Sequence, residues 1–185
     1  MSREAIRDLV HQECERSAFG LSFFEEHLTV VADHASRLAE QLGADRETVE
    51  VAAWLHDLAA VRDPAPQPDH DRLCAELAPE VLSSYGYDNS VVASISCAIA
   101  SHSFPRRLGD ASLEEVCLSQ ADATSQIARP IYWFYFGTTF RGLGYEDGKE
   151  WLLNRLETKW KALIEPAREL VGDRYESVIG LFRQG

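Results

Sequence analysis

The sequence predicts an all-α fold, a compact multi-helix bundle of about seven to nine helices. Three observations carry the prediction. Apolar residues recur three and four positions apart through nearly the whole chain, the period of one helix face. No segment shows convincing period-two alternation, and only the aromatic run I-Y-W-F-Y-F at 131–136 can be argued as a strand. Helix stop and start residues fall between the periodic segments.

Residues 2–16 read as a charged amphipathic helix. Residues 22–42 carry Phe24, Leu28, Val31, Ala35, Leu38 and Leu42 as one apolar stripe. Gly43 ends that helix and Asp45 is placed to cap the next. That next helix, 46–61, is apolar on most sides and is expected at the centre of the core. The segment R-D-P-A-P-Q-P-D, 62–69, holds three prolines and reads as a loop rather than a domain boundary. A helix over about 70–85 shows Leu73, Leu77, Val81 and Tyr85, and Gly86 ends it. The next, about 89–103, puts Val91, Ile95, Ala98, Ile99 and His102 on one stripe. Ser112 and Glu115 form a capping-box signature for a helix of about 113–128. Past the aromatic run and its trailing glycines, two further helices are expected at about 147–170 and 173–183. The whole of 1–185 reads as one domain, with a core at 22–128 and a helical, aromatic C-terminal segment at 129–185.

A chain of 185 residues can bury a sizeable core, and its 45% apolar content is that of a globular protein. The net charge of -12 argues against general nucleic-acid binding, which needs a basic surface. No apolar run approaches the roughly 18 to 20 residues of a membrane span. The N-terminus lacks an apolar signal core. Cys14, Cys74, Cys97 and Cys117 form no C-x-x-C pair and read as reduced core thiols. A cytoplasmic location is expected.

The chemistry concentrates in V-A-A-W-L-H-D-L-A-A-V, 51–61, where His56 and Asp57 are the only polar side chains. A carboxylate in such a run is costly unless a cation or strong hydrogen bonds compensate it. His27 lies upstream, Asp122 downstream, with His70 and His102 between. Four imidazoles and two carboxylates are the inventory of a divalent-metal site.

The order of these segments is H-L-T-V-V-A-D-H from His27, then A-A-W-L-H-D-L, then A-S-H-S-F, then S-Q-A-D-A. Over roughly residues 22–128 this resembles the HD-domain superfamily of metal-dependent phosphohydrolases, nearest in pattern to its small stand-alone bacterial members. The resemblance implies His27, His56, Asp57 and Asp122 as metal ligands. It implies His70 and His102 as ligands of a second ion, as contacts to substrate phosphate or as general acid. The implied cofactor is one or two divalent ions, of Mn, Fe, Co, Ni, Zn or Mg. The implied activity is hydrolysis of a small phosphorylated metabolite, a nucleotide by family inference, through attack of metal-activated water. The family often follows H-D with a small residue and Gly-Lys or Gly-Asp. Here Ala59 and Ala60 stand there, and Val30 occupies a position where many relatives carry arginine. Arg62 is then a candidate to replace the missing lysine, with Arg106 and Arg107 as candidate phosphate clamps.

Plainer readings stand beside these. His34 lies on nearly the same helix face as His27. Asp122 fits an inward carboxylate paired with arginine, His70 a helix-start residue, and His102 a cation at a helix C-terminus. The aromatic run fits core packing, with a share in a substrate cleft as the alternative. Two other functions use the same residues: a di-iron oxygenase, or a non-catalytic metal-stabilised sensor. The oligomeric state is open, a homodimer included.

Overall fold

The computed structural model describes residues 3–65 and 69–183. Residue 2 of the first expected helix and residues 66–68 of the proline loop lie outside the described residues. Among the described residues the only β feature is one bridge between Leu108 and Ala111. The rest is helix: α1 (Arg3–Arg16), α2 (Gly20–Phe23), a π-helical turn (Phe24–Leu28), α3 (Thr29–Leu42), α4 (Arg46–Leu55), α5 (Leu58–Arg62), α6 (His70–Ser84), α7 (Asn89–Ile99), α8 (Leu113–Ala128), α9 (Pro130–Phe140), α10 (Tyr145–Ala162) and α11 (Glu165–Arg183). Taking Gly20–Leu42 and α4–α5 each as one interrupted rod leaves nine rods among the described residues. No described helix is long and apolar enough to cross a membrane.

The helix ends follow local chemistry. Gly43 adopts φ 77°, the left-handed conformation that closes α3 without a Cβ penalty. The Asp45 carboxylate accepts the Thr48 N–H at 2.7 Å and starts α4. Ser112 and Glu115 form the full capping box of α8. The aromatic run is helical, with Pro130 in the first turn of α9, where its missing N–H costs nothing.

Three expectations need correcting. The helix over 46–61 is broken at His56-Asp57, between α4 and α5. The expected pair 147–170 and 173–183 divides instead at Leu163, whose extended backbone lets Pro166 fall in the first turn of α11. A proline in mid-helix would have lost a hydrogen bond and clashed with the preceding turn. Cys97 is exposed, because α7 turns Val92, Ile95, Ala98 and Ile99 inward; Cys14, Cys74 and Cys117 are buried.

The core is centred as much on α8 as on α4. Every α8 side chain from Val116 to Ile127 is buried, polar ones included. Several of those polar groups tie down a neighbour. Gln120 donates to the Arg106 and Ala162 carbonyls and accepts the Ile164 N–H, pinning both the 105–111 loop and the α10–α11 junction. Ser119 accepts the Arg106 N–H. Thr124 meets His34 Nδ1 at 2.8 Å. Because Thr124 donates its own hydroxyl to the Ala121 carbonyl, His34 must be the donor.

His34 is thereby a neutral structural histidine: burial pushes its pKa down to about 4. The unfolded chain holds its proton below about 6.5 while the native state refuses it down to about 4. Its stabilising effect is complete above the first value and fades as pH falls toward the second. The loss is on the order of 3 kcal/mol. Chemical denaturation between pH 7 and 4 should show this slope in the wild type and a clearly flatter one in His34→Gln. Equal slopes would refute the assignment.

Candidate metal centre

His27 stands in the π-helical turn. The Thr29 N–H reaches back five residues to the Phe24 carbonyl, so one extra residue is accommodated in an otherwise α-helical rod. The Thr29 hydroxyl takes up the Glu25 carbonyl at 2.6 Å. His56 and His102 share another local device. Each follows the end of a helix, α4 or α7, where carbonyls lack intrahelical partners. Each donates Nδ1–H to the carbonyl three residues back, Ala53 or Ile99, at 2.7 Å. Both rings are thus locked with Nε2 aimed into the same space.

The tautomers follow from the hydrogen bonds. His27 Nδ1 lies 3.0 Å from Ser125 Oγ. Ser125 spends its only proton on the Asp122 carbonyl, so His27 Nδ1 donates and His27 Nε2 carries a lone pair. His56 Nε2 carries one for the corresponding reason. These two nitrogens are 3.2 Å apart. Asp57 Oδ2 lies 3.1 Å from the first and 3.3 Å from the second. Three acceptors face one another inside the core.

Such a triangle repels itself unless a cation occupies its focus. Donors about 2.1 Å from one ion, at tetrahedral or octahedral angles, lie about 3.0–3.4 Å apart. The observed spacings fit. Asp122 Oδ1 lies 3.7 Å from His27 Nε2, beside the triangle but outside it. Asp57 Oδ1 turns to a second triad: His70 Nε2 at 3.7 Å and His102 Nε2 at 3.6 Å. One carboxylate serves two donor clusters.

The electrostatics agree. Burial alone would raise the Asp57 pKa, yet the positive charge drawn to His56, with His102 and His27 also close by, holds it well below the usual carboxylate range. Burial likewise opposes Asp122, and Lys159 ahead of the histidines brings it down to about 2. His27 is pushed down by burial. His56 also suffers from burial, but Asp57 outweighs it and raises the pKa to about 9. The carboxylates draw one positive charge to His56 Nε2, whether a proton or a metal ion competing for the same lone pair.

Of the metal-type residues expected from sequence, His27, His56 and Asp57 come together in one group and Asp57, His70 and His102 in a second, while Asp122 stands 3.7 Å from His27. His34 lies apart. The three arginines do not join them. Arg62 is bound to Glu13 at 2.8 Å and ties α5 to α1. Arg106 and Arg107 are exposed, because their loop is pinned to α8 through the Arg106 backbone. None of the three lines the cleft of about 720 Å³ that opens onto the cluster.

Cations come instead from the C-terminal helices. Lys159 of α10 is buried, and donates to the Ser103 carbonyl at 2.7 Å and to Asp122 Oδ2 at 3.3 Å. Arg141 and Arg155 also line the cleft, as do Trp133 and Phe136. Asp71 joins the site as well: its Oδ1 meets His70 Nε2 at 3.0 Å and the Ser103 hydroxyl at 2.5 Å. Its signal in the sequence is a second H-D dipeptide, His70-Asp71.

Ser125 acts through His27. Ser125→Ala should leave the fold intact but free the ring, weakening metal affinity by roughly 10- to 100-fold. Competition with a chromophoric chelator measures this. An unchanged affinity would separate the Ser125 contact from ion binding.

Comparison with known proteins identifies the family and the fold. A family model described as the HD domain matches residues 24–127. The fold resembles a predicted HD superfamily hydrolase from an uncultured Thermotogales bacterium, with TM-score 0.68 and 24% identity over 98% of this chain and 89% of that one. It also resembles Bacillus subtilis YpgQ in complex with ADP, with TM-score 0.75 and 23% identity over 98% and 92% of the two chains. A second structure of YpgQ gives TM-score 0.73 and 24% identity over 100% and 95%. At such identities the solved structures establish likeness of fold. No curated protein matches the sequence significantly.

Proposed function

Since the chain belongs to the HD-domain family, we propose that it is a divalent-metal-dependent phosphohydrolase acting on a small phosphorylated metabolite, with a nucleotide as the favoured class. The observation that carries this reading is the triangle of His27 Nε2, His56 Nε2 and Asp57 Oδ2, three lone-pair donors within 3.3 Å of one another. With Asp122 they would hold the ion. Bound there, a divalent ion would supply Lewis acidity and a nucleophilic water at neutral pH.

The chain's own residues do the rest. The Lys159 ammonium is fixed by two acceptors and faces the cleft, placed to take a phosphoryl oxygen as negative charge develops. Trp133 and Phe136 wall the cleft against water and offer faces for a planar organic group. His70 is hydrogen-bonded to Asp71, which raises its pKa, so it can carry a proton near neutral pH and deliver it to the leaving oxygen. If a second ion is present, His70, His102 and Asp57 Oδ1 are its donors instead. The nucleotide preference draws on the aromatic wall and on the ADP held by YpgQ in its complex.

Elemental analysis of the purified protein, with phosphate and pyrophosphate release from a panel of nucleotides and phosphomonoesters under Mn²⁺, Co²⁺, Ni²⁺ and Mg²⁺, tests the proposal. One or two ions per chain with metal-dependent release is expected. Bound metal with no release from any compound would sink the hydrolase reading. The carboxylate shared by two triads also suits a di-iron oxygenase. Anaerobic purification with iron analysis and an optical spectrum separates that reading from a hydrolase.

A further inference from the structure

Away from the two triads, the cleft contains an arrangement the hydrolytic chemistry does not use. Arg155 lies on the same face of α10 as Lys159, one turn earlier. Its guanidinium carbon sits 5.0 Å from the centroid of the Trp133 ring and 5.4 Å from that of Trp151. Its Nε is fully buried and has no hydrogen-bond partner. Arg141, at the end of α9, lies 5.5 Å from the same Trp151 ring. Among the described residues, neither arginine has a carboxylate oxygen within 4.0 Å in the structure's ion pairs.

This placement is specified by packing. A Cβ at Gly137 would come within 2.8 Å of the Trp151 ring, so the glycine is what lets that indole approach α9 so closely. The indole then supports both guanidiniums. Burial disfavours the charge on Arg155, the carboxylate of Asp122 partly offsets this from beyond ion-pair distance, and Arg141 disfavours it further. Indole faces attract cations, but by about 1–2 kcal/mol, too little to offset a buried guanidinium with an orphaned donor. Arg155, with its orphaned Nε and no carboxylate in an ion pair, and the exposed Arg141 at the same indole together present N–H groups fitted to an anion.

We propose that Arg155 and Arg141, mounted on Trp151, form an anion-binding site of the cleft that is separate from the metal-ligating triads and fitted to a phosphate-type polyanion. The anion is either a remote phosphate of the substrate or a free phosphate compound. The site needs no metal and stands independently of the hydrolase reading.

The test uses full-length protein treated with chelator, titrated with inorganic pyrophosphate by calorimetry and by tryptophan fluorescence, which Trp133 and Trp151 report directly. Saturable binding is expected. Arg155→Met keeps the apolar stem between the indoles and should weaken binding by about 10-fold or more. Arg141→Met, at an exposed position where the core is untouched, should weaken it by several fold. In metal-loaded protein, a raised KM for phosphorylated substrates in both variants assigns the site to the substrate. An unchanged KM with pyrophosphate binding still lost assigns it to a free anion. Wild-type protein that fails to bind millimolar pyrophosphate, or two folded variants that bind it as the wild type does, would overturn the proposal.

Discussion

Asp57→Ala is expected to purify without bound metal and to lose phosphate release by about 10³-fold or more, the cost of several kcal/mol of transition-state charge stabilisation. The reason is positional. Oδ2 of Asp57 closes the triangle with His27 and His56, while Oδ1 faces His70 and His102. Among the described residues, no other side chain belongs to both clusters. Its truncation removes the negative charge that draws a cation inward and leaves two imidazole lone pairs opposed. Thermal stability gives a second readout. An ion at 100 times its Kd stabilises the native state by about 2.7 kcal/mol. For a chain of this size that is a rise in Tm of about 5–10 °C. The wild type should show that rise on adding metal and Asp57→Ala should not. A variant that retains full metal occupancy contradicts the ligand assignment.

Lys159→Met should be nearly as damaging, with a different signature. The ammonium is a buried partner of Asp122, and removing one member of such a pair costs about 3–5 kcal/mol by leaving the other uncompensated. The deficit should be largest in metal-free protein and partly recovered when an ion compensates Asp122. Activity should fall by about 10²–10³ in kcat, as for loss of one charged contact to a developing phosphoryl anion. Denaturation curves with and without metal, alongside steady-state kinetics, separate the two effects. Equal destabilisation with and without metal, at unchanged kcat, would reduce Lys159 to a packing role.

The contrast between His27 and Lys159 shows what the sequence could reveal. His56 and Asp57 are legible because they interrupt an apolar helical run with polar groups that need a partner, whereas His27 and Asp122 stand out only through the motif shared with the HD-domain superfamily. The helix bounds near Gly43, Asp45 and Ser112 are legible because capping is local chemistry. The break at His56-Asp57 is not, since V-A-A-W-L-H-D-L-A-A-V has unbroken helical character and the interruption is imposed by aiming both side chains inward. Lys159 and Arg155 sit in W-L-L-N-R-L-E-T-K, which reads as an ordinary solvated helix. Only the packing of α10 against α8 and α9 turns that face toward the cleft. Arg62, Arg106 and Arg107 show the converse. They are near the ligand residues in sequence, yet helix direction and a pinned loop carry them to the surface.

The π-helical turn at Phe24–Leu28 makes the first rod unusually sensitive to chain length. Deleting one residue there would restore an uninterrupted hydrogen-bond ladder and improve the helix considered by itself. Everything before the deletion would then rotate by about 100° and shift by about 1.5 Å relative to α3. Phe19 and Phe23, which wall the cleft, would swing off it while Val31, Ala35 and Leu38 stayed in register. The shorter gene product would gain local order and forfeit its binding surface, so insertions and deletions here are constrained by phase rather than by stability.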